Sequence, residues 1–494
     1  MTITIFLFSL CAAMALGMPI AFSLIVCGVA MMGYMGATGG AVAFDSQIVA
    51  QNVVNGADSF ILMAVPFFML AGEFMNAGGL SKRIVTMAST LVGHVKGGLG
   101  YVAIVAAVVM ASLSGSAVAD TAALASLLIP MMRSAGYNIP RACGLIASGG
   151  IIAPVIPPSI GFVVFGVASG VSITKLFLAG IMPGVMMGIA LAATWWWVTR
   201  KDNMVASERA PRSEYLKVVY ALILAMLMGF IAFFQLDKYA DNFIGTGIEA
   251  IAQTLTIKAQ SLIYGFKLIT LPALAYIAYK KADGAFALLL PLIIILGLKN
   301  GVFTPTEAAV VVAVYALVVS LFVYRELSVP MIYTCLVNAA KITAVVMFLV
   351  AAALVSAWLI TVSDIASEVT NLARPFMDSP KLLMLVLMII VVLVGTALDF
   401  TPTVLILTPV LMPIVKEAGI NPVYFGVLFI LNNAIGLLTP PVGTVLNVVA
   451  GVAKQPMDAV IKGVMPFLYS QLVLLGLLIA FPDLVLVPMK WFLP

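Results

Sequence analysis

The chain has 494 residues, 63% of them hydrophobic and only 9% charged, with mean hydropathy +1.18 and formal net charge +5. A soluble domain carries about 25% charged residues, so this chain has too little polar surface to face water on all sides. It shows no basic patch interleaved with aromatics, which argues against nucleic acid as a partner, and a Lys/Arg excess in so apolar a chain records cytoplasmic loops.

Residues 1–44 contain no charge and no histidine. Further charge-free runs are 142–174, 176–199, 342–363, 418–453 and 463–482. About 20 apolar residues span a bilayer core as a helix, and open backbone groups are not tolerated in lipid, so an all-α polytopic membrane protein is expected. A cleaved signal peptide needs a basic stretch before its apolar run; the first Lys or Arg here is Lys82, so a retained helix is the expectation. Cys11, Cys27, Cys143 and Cys335 have no metal-ligand spacing and sit in or beside apolar runs, as packing residues do. His94, the single histidine, lies in the loop-like Gly93-His94-Val95-Lys96-Gly97-Gly98. Without a second histidine, a histidine zinc site or proton relay is not expected.

Further along, Ser114-Gly115-Ser116 interrupts one apolar segment, and Pro154 and Pro157-Pro158-Ser159 interrupt the next. Proline has no N–H and clashes with the preceding turn. A Pro-Pro pair in a charge-free run therefore frees carbonyls at membrane depth, where irregular backbone is tolerated only if buried or lining a cavity. Trp195-Trp196-Trp197 precedes Arg200-Lys201 and suits the headgroup belt. Residues 200–283 begin basic and end on Lys280-Lys281, with apolar segments near 216–236 and 261–279. Both ends are expected inside, with two spans joined by an outer segment at 237–260, whose helical spacing also fits a helix lying on the surface.

The second part repeats the first. A shift of 283 residues aligns Pro130 with Pro413, Ala135-Gly136 with Ala418-Gly419, Pro157-Pro158 with Pro440-Pro441, Gly180 with Gly463 and Pro183 with Pro466. Arg133 falls on Lys416, and a solvated loop is expected for both. One ungapped register serves all of these, which points to an internal duplication. Paired repeats with breaks at matching places are a transporter signature. The matching breaks are Thr401-Pro402-Thr403 and Thr439-Pro440-Pro441. Freed carbonyls and hydroxyls are hard oxygen ligands suited to an alkali cation. The plain alternative is a pair of kinked helices without ligands.

Two acids stand apart from the loop charges. Asp120 is the only charge between Lys96 and Arg133, and Asp399 the only one between Lys381 and Lys416. Small and hydroxyl residues surround each: Ser114, Gly115, Ser116 and Thr121 for the first, Gly395, Thr396, Thr401 and Thr403 for the second. An intramembrane carboxylate is a functional candidate; the alternative for each is a helix cap at an interfacial turn. A membrane enzyme and a passive anion channel stay open as rival functions, although the Pro- and Thr-rich surroundings favour ion ligation.

The segments SLSGSAVADTAALASLLIPMM (112–132), ASGGIIAPVIPPSIGF (147–162), GVFTPTEAA (301–309), DFTPTVLILTPVLMPIVKEAGI (399–420) and GLLTPPVGTVLNV (436–448) closely resemble the large membrane subunit, DctM type, of tripartite ATP-independent periplasmic (TRAP) transporters. VPFFMLAGEFMNAGGLSKRIV (65–85) resembles it too, and only about 204–275 departs. The resemblance implies an elevator-type transporter of two inverted repeats in the bacterial inner membrane, coupled to Na+, with no cofactor and no enzymatic activity. It implies a first repeat at 1–199 with a re-entrant hairpin near 105–130 and a second repeat at 284–494 with a hairpin near 385–412; the inter-repeat region at 200–283 departs from the family, being longer by what reads as an extra helical hairpin. Sodium and substrate would lie among Ser114, Gly115, Ser116, Asp120, Pro154, Pro157 and Pro158 of the first repeat and Gly395, Thr396, Asp399, Thr401, Thr403, Thr439 and Pro440 of the second. The implied partners are a small (Q-type) membrane subunit, a periplasmic substrate-binding protein and a small carboxylate; several stretches look most like members handling a sugar acid such as 2,3-diketogulonate.

Overall fold

A computed structural model describes residues 2–38, 45–202, 209–233, 270, 274–277, 284–363, 365–440 and 443–492. Among them the chain is helical without strands. Eight helices are long and apolar enough to cross a membrane, from Ile20–Ala37 to Met457–Ala480. Helices satisfy their backbone groups internally, which is why so apolar a chain adopts them throughout.

The first part runs α1 (Thr2–Ala15), α2 (Ile20–Ala37), α3 (Ser46–Ala57), a 3-10 turn (Phe60–Met63), α4 (Ala64–Ala77), α5 (Leu80–Val92), α6 (Gly98–Ser114), α7 (Ala117–Ser134), α8 (Ile139–Gly150), α9 (Ile160–Ser169) and α10 (Ile173–Thr199). After α11 (Arg212–Phe233) come α12 (Ala285–Lys299), α13 (Pro305–Val318), α14 (Val329–Val362), α15 (Ile365–Met377), α16 (Pro380–Ala397), α17 (Phe400–Glu417), α18 (Pro422–Gly436), α19 (Thr444–Ala453), α20 (Met457–Ala480) and α21 (Asp483–Phe492). The 283-residue shift carries the bounds of α6 and α7 onto those of α16 and α17 to within one residue. The contacts are reciprocal as well: α7 packs on α19 while α17 packs on α9, and α4 packs on α13 while α14 packs on α2.

The two parts differ in how one long segment is built. α14 is a single helix, whereas its counterpart is split into α3, the 3-10 turn and α4. The split falls at Asp58 and Ser59, where Ser59 is extended (φ −107°, ψ 116°). Asp and Ser offer the backbone alternative hydrogen bonds and favour such breaks. Between the spanning elements lie α5 and α15, short helices with one apolar and one polar face, the pattern of helices lying at an interface.

The hairpins expected near 105–130 and 385–412 fall within the helix pairs α6–α7, at 98–134, and α16–α17, at 380–417. The first predicted span of the middle region is α11; the outer segment 237–260 and most of 261–279 lie outside the described residues. Trp195 corrects the headgroup-belt expectation. It is buried, donates from Nε1 to Gly97 O at 2.9 Å, and stacks between Tyr137 and Phe467. Trp196 and Trp197 are exposed. A buried indole N–H needs an acceptor, and the carbonyl that starts α6 supplies it.

Candidate functional site

The α6–α7 turn is built by hydroxyls. Ser116 caps α7, accepting from Ala119 N, and Ser114 Oγ accepts from Ser116 N at 3.2 Å. The same Ser114 Oγ donates to Asp120 Oδ1 at 2.5 Å. Asp120 sits in the first turn of α7, only 2% exposed, near the positive end of the helix dipole. Among the described residues its buried Oδ2 has no hydrogen-bond partner, and neither do Thr121 Oγ1 beside it and Ser148 Oγ on α8. Buried polar atoms are satisfied in the great majority of cases. Asp120 and Thr121 are neighbours on α7, and Ser148 stands on α8, which packs on α7, so this helix pair carries three such oxygens.

Residues 151–159 form the break between α8 and α9 and are wholly buried. Ser159 Oγ donates to Pro154 O and accepts from Phe162 N at 3.1 Å, so one hydroxyl closes the break and caps α9. The Gly115 backbone, at φ +64°, lies against Pro158 O.

The second turn uses different residues at matching places. Asp399 caps α17: its Oδ1 accepts from Phe400 N at 3.0 Å and from Thr444 Oγ1 of α19 at 3.4 Å. Asp399 is exposed. Under the 283-residue shift it matches Ser116, the other cap, while Asp120 matches Thr403. The two acids are thus not equivalents: Asp399 follows the capping alternative, and Asp120 is the buried one.

Thr403 Oγ1 donates to Asp399 O at 2.9 Å, Thr396 Oγ1 to Leu393 O at 2.7 Å and Thr439 Oγ1 to Ile435 O at 3.0 Å. These hydroxyl protons are used within the chain, leaving lone pairs. Thr401 and Pro440 are half-buried, and Gly395 is buried against Asn433 and Gly436.

Sequence reasoning missed Asn432 and Asn433. Both side chains are fully buried; Asn432 Nδ2 donates to Met388 O at 2.5 Å and Asn433 Nδ2 to Phe400 O at 2.8 Å, and neither Oδ1 atom has a partner among the described residues. The signal was present: two adjacent amides in the charge-free run 418–453, matching Gly149-Gly150 of the first part.

Four helix N-termini meet here. Gly115 ahead of α7 touches Pro158 ahead of α9, Gly161 of α9 lies against the Phe400 ring of α17, and Asp399 ahead of α17 bonds Thr444 of α19. Such ends favour anions, and broken helices place them at membrane depth. Arg133 lies elsewhere and is not merely solvated, as expected from the sequence: in the last turn of α7, its Nη2 donates to Ala453 O at 2.7 Å. Among the described residues no cluster of His, Cys, Asp and Glu could hold a transition metal.

The family model described as the tripartite ATP-independent periplasmic transporter, DctM component, matches residues 7–484. The chain belongs to the TRAP transporter DctM family. It is 50% identical to the 2,3-diketo-L-gulonate TRAP transporter large permease YiaN of Escherichia coli, over 99% of this chain and 100% of the relative. It is 32% identical to the isethionate TRAP transporter permease DctMQ of Oleidesulfovibrio alaskensis, over 94% of this chain and 62% of that longer protein. The Alcanivorax borkumensis YdaH transporter shares the fold, with TM-score 0.59 at 15% identity, covering 94% of this chain and 98% of that one. As a DctM-family protein the chain is a multi-pass inner-membrane permease and not an enzyme.

Proposed function

We propose that this permease is the translocating subunit of a sodium-coupled importer for a small carboxylate, and that the carboxylate is a sugar acid. The observation carrying the proposal is the buried Asp120 with orphaned oxygens at its own Oδ2, Thr121 and Ser148, beside a helix break. A carboxylate and hydroxyls are hard donors that fit Na+. Asp120, Thr121 and Ser148 would hold one ion, and the Oδ1 atoms of Asn432 and Asn433 offer a second oxygen set. The ions travel as cargo. They offset the charge of an anionic substrate, and the four helix N-termini favour its carboxylate. The likeness to YiaN supports a sugar acid.

The matched helix register and reciprocal packing support two inverted repeats, 1–199 and 284–494, that move as an elevator around the site. The tripartite family and the longer DctMQ relative support two partners, a small membrane subunit and a periplasmic binding protein that delivers substrate. Uptake of labelled 2,3-diketogulonate into proteoliposomes holding all three components tests this. Uptake is expected to require an inward sodium gradient and the binding protein. Equal uptake with potassium replacing sodium under a proton gradient would overturn the coupling, and equal uptake by the permease alone would overturn the delivery.

A further inference from the structure

Away from the helix breaks, a cavity of about 380 Å³ opens between the amphipathic α5 and the start of α11. Its charged lining is Lys82 and Arg83 from α5, Glu214 and Lys217 from α11, and Glu326. Arg83 is committed to the wall: Nη1 bonds Glu326 Oε1 at 2.7 Å, and the guanidinium lies 3.7 Å from the centre of the Tyr324 ring. Among the described residues Lys82 and Lys217 form no ion pair, and both are exposed. Outside the Arg83–Glu326 pair, the charged groups lining the cavity among the described residues are two ammonium groups and one carboxylate, that of Glu214.

Three features say what fits. The floor is apolar at Val218 and Ala221, and α11 continues past it with exposed Leu222 and Met226. Charge at the mouth over an apolar flank is the profile of a membrane interface. Further basic residues lie in the loops that follow α5 and precede α11, where Lys96 Nζ donates to Arg200 O at 3.2 Å and joins the α5–α6 loop to the end of α10. A Lys/Arg-rich face is cytoplasmic, and basic pockets between helices on that side bind lipid phosphates.

We propose that this cavity is a binding site for the headgroup phosphate of an anionic phospholipid of the cytoplasmic leaflet, with Lys82 and Lys217 as phosphate ligands. Glu214 limits the site to one net positive charge. The acyl chains run along Leu222 and Met226. The lipid bridges α5 to α11, two elements separated by more than a hundred residues of chain.

Native mass spectrometry of the purified full chain, loaded with phosphatidylglycerol or phosphatidylcholine, tests the site. Wild type is expected to retain phosphatidylglycerol in preference to phosphatidylcholine. Each of Lys82→Gln and Lys217→Gln should weaken retention about fivefold, and the pair about thirtyfold. Both positions are exposed, so the variants should fold; Glu214→Gln should instead strengthen retention. Excess inorganic phosphate should not displace the lipid. Displacement by it would mean a site for soluble phosphate and overturn the lipid assignment. Equal retention of both lipids, or unchanged retention by the double variant, would overturn the site. Loss of a co-purifying membrane subunit from the double variant, with lipid retention unchanged, would make the cavity a protein contact instead.

Discussion

Arg133 at the end of α7 donates to the last carbonyl of α19, Ala453 O, at 2.7 Å. The two helices belong to different parts of the duplicated chain and pack along each other. A guanidinium at a helix C-terminus satisfies an orphan carbonyl and complements the dipole. Arg133→Ala should therefore lower thermal stability by about 1 kcal/mol, the modest figure reflecting its exposure. Arg133→Lys should recover part of that loss. The half-saturating substrate concentration should stay the same in both. A large rise in that concentration would assign Arg133 to substrate attraction.

The acids should separate on mutation. Asp120→Ala and Asp120→Asn should each reduce uptake at least about tenfold while the protein still inserts, because each removes the one formal charge among the orphaned oxygens. Asp399→Ser should keep most activity, since serine caps a helix nearly as well as aspartate, while Asp399→Ala should cost about 1 kcal/mol of stability. Uptake assays in parallel with thermal unfolding would separate these effects. Equal loss of uptake in Asp399→Ser and Asp120→Asn would show that both acids act by charge.

Much of this was legible before any coordinates. The composition and charge-free runs gave the membrane class, and the ungapped shift of Pro157-Pro158 onto Pro440-Pro441 gave the duplication. The Ser114–Asp120 turn was legible because an isolated acid among serines and glycines is conspicuous. Asn432 and Asn433 were not, because neutral amides leave no mark on a charge count; only burial reveals that their oxygens lack partners. For Asp399 the sequence left function and helix capping side by side, since it shows an acid in an apolar run but not where the carboxylate bonds; the structure shows the capping bond. Arg133 was under-read because its acceptor, Ala453, is 320 residues away in the chain.

If Thr121 and Ser148 complete a cation site with Asp120, their hydroxyls should matter to sodium more than to substrate. Thr121→Val and Ser148→Ala remove an orphaned oxygen each with little change of volume. Losing one neutral oxygen ligand should raise the half-saturating sodium concentration roughly five- to tenfold, on the scale of a single hydrogen-bonding group. The maximal rate at saturating sodium should be largely preserved. Sodium titrations of uptake would show this, and curves superimposable on wild type would remove both residues from the site.

The turn between α6 and α7 meets the first helix break at Gly115 and Pro158. Gly115 has φ +64°, and a Cβ there would collide with Pro158 O and crowd Ile160 N. Both obstacles are backbone atoms held in a buried break, so neither can swing aside as a side chain would. Gly115→Ala should therefore suffer twice: about 1–2 kcal/mol for a left-handed alanine, and a further displacement of the hairpin tip from the break. Gly136 supplies the control. It has φ +74° with nothing near its missing Cβ, so Gly136→Ala meets the first penalty alone. Gly136→Ala should lose some thermal stability and keep its transport, while Gly115→Ala should lose transport as well, because the displaced tip carries Ser114 and, through it, the orientation of Asp120. Matched uptake and unfolding measurements on the two variants would decide the point. If both lose only stability, and to the same degree, the contact between Gly115 and Pro158 plays no part in shaping the site.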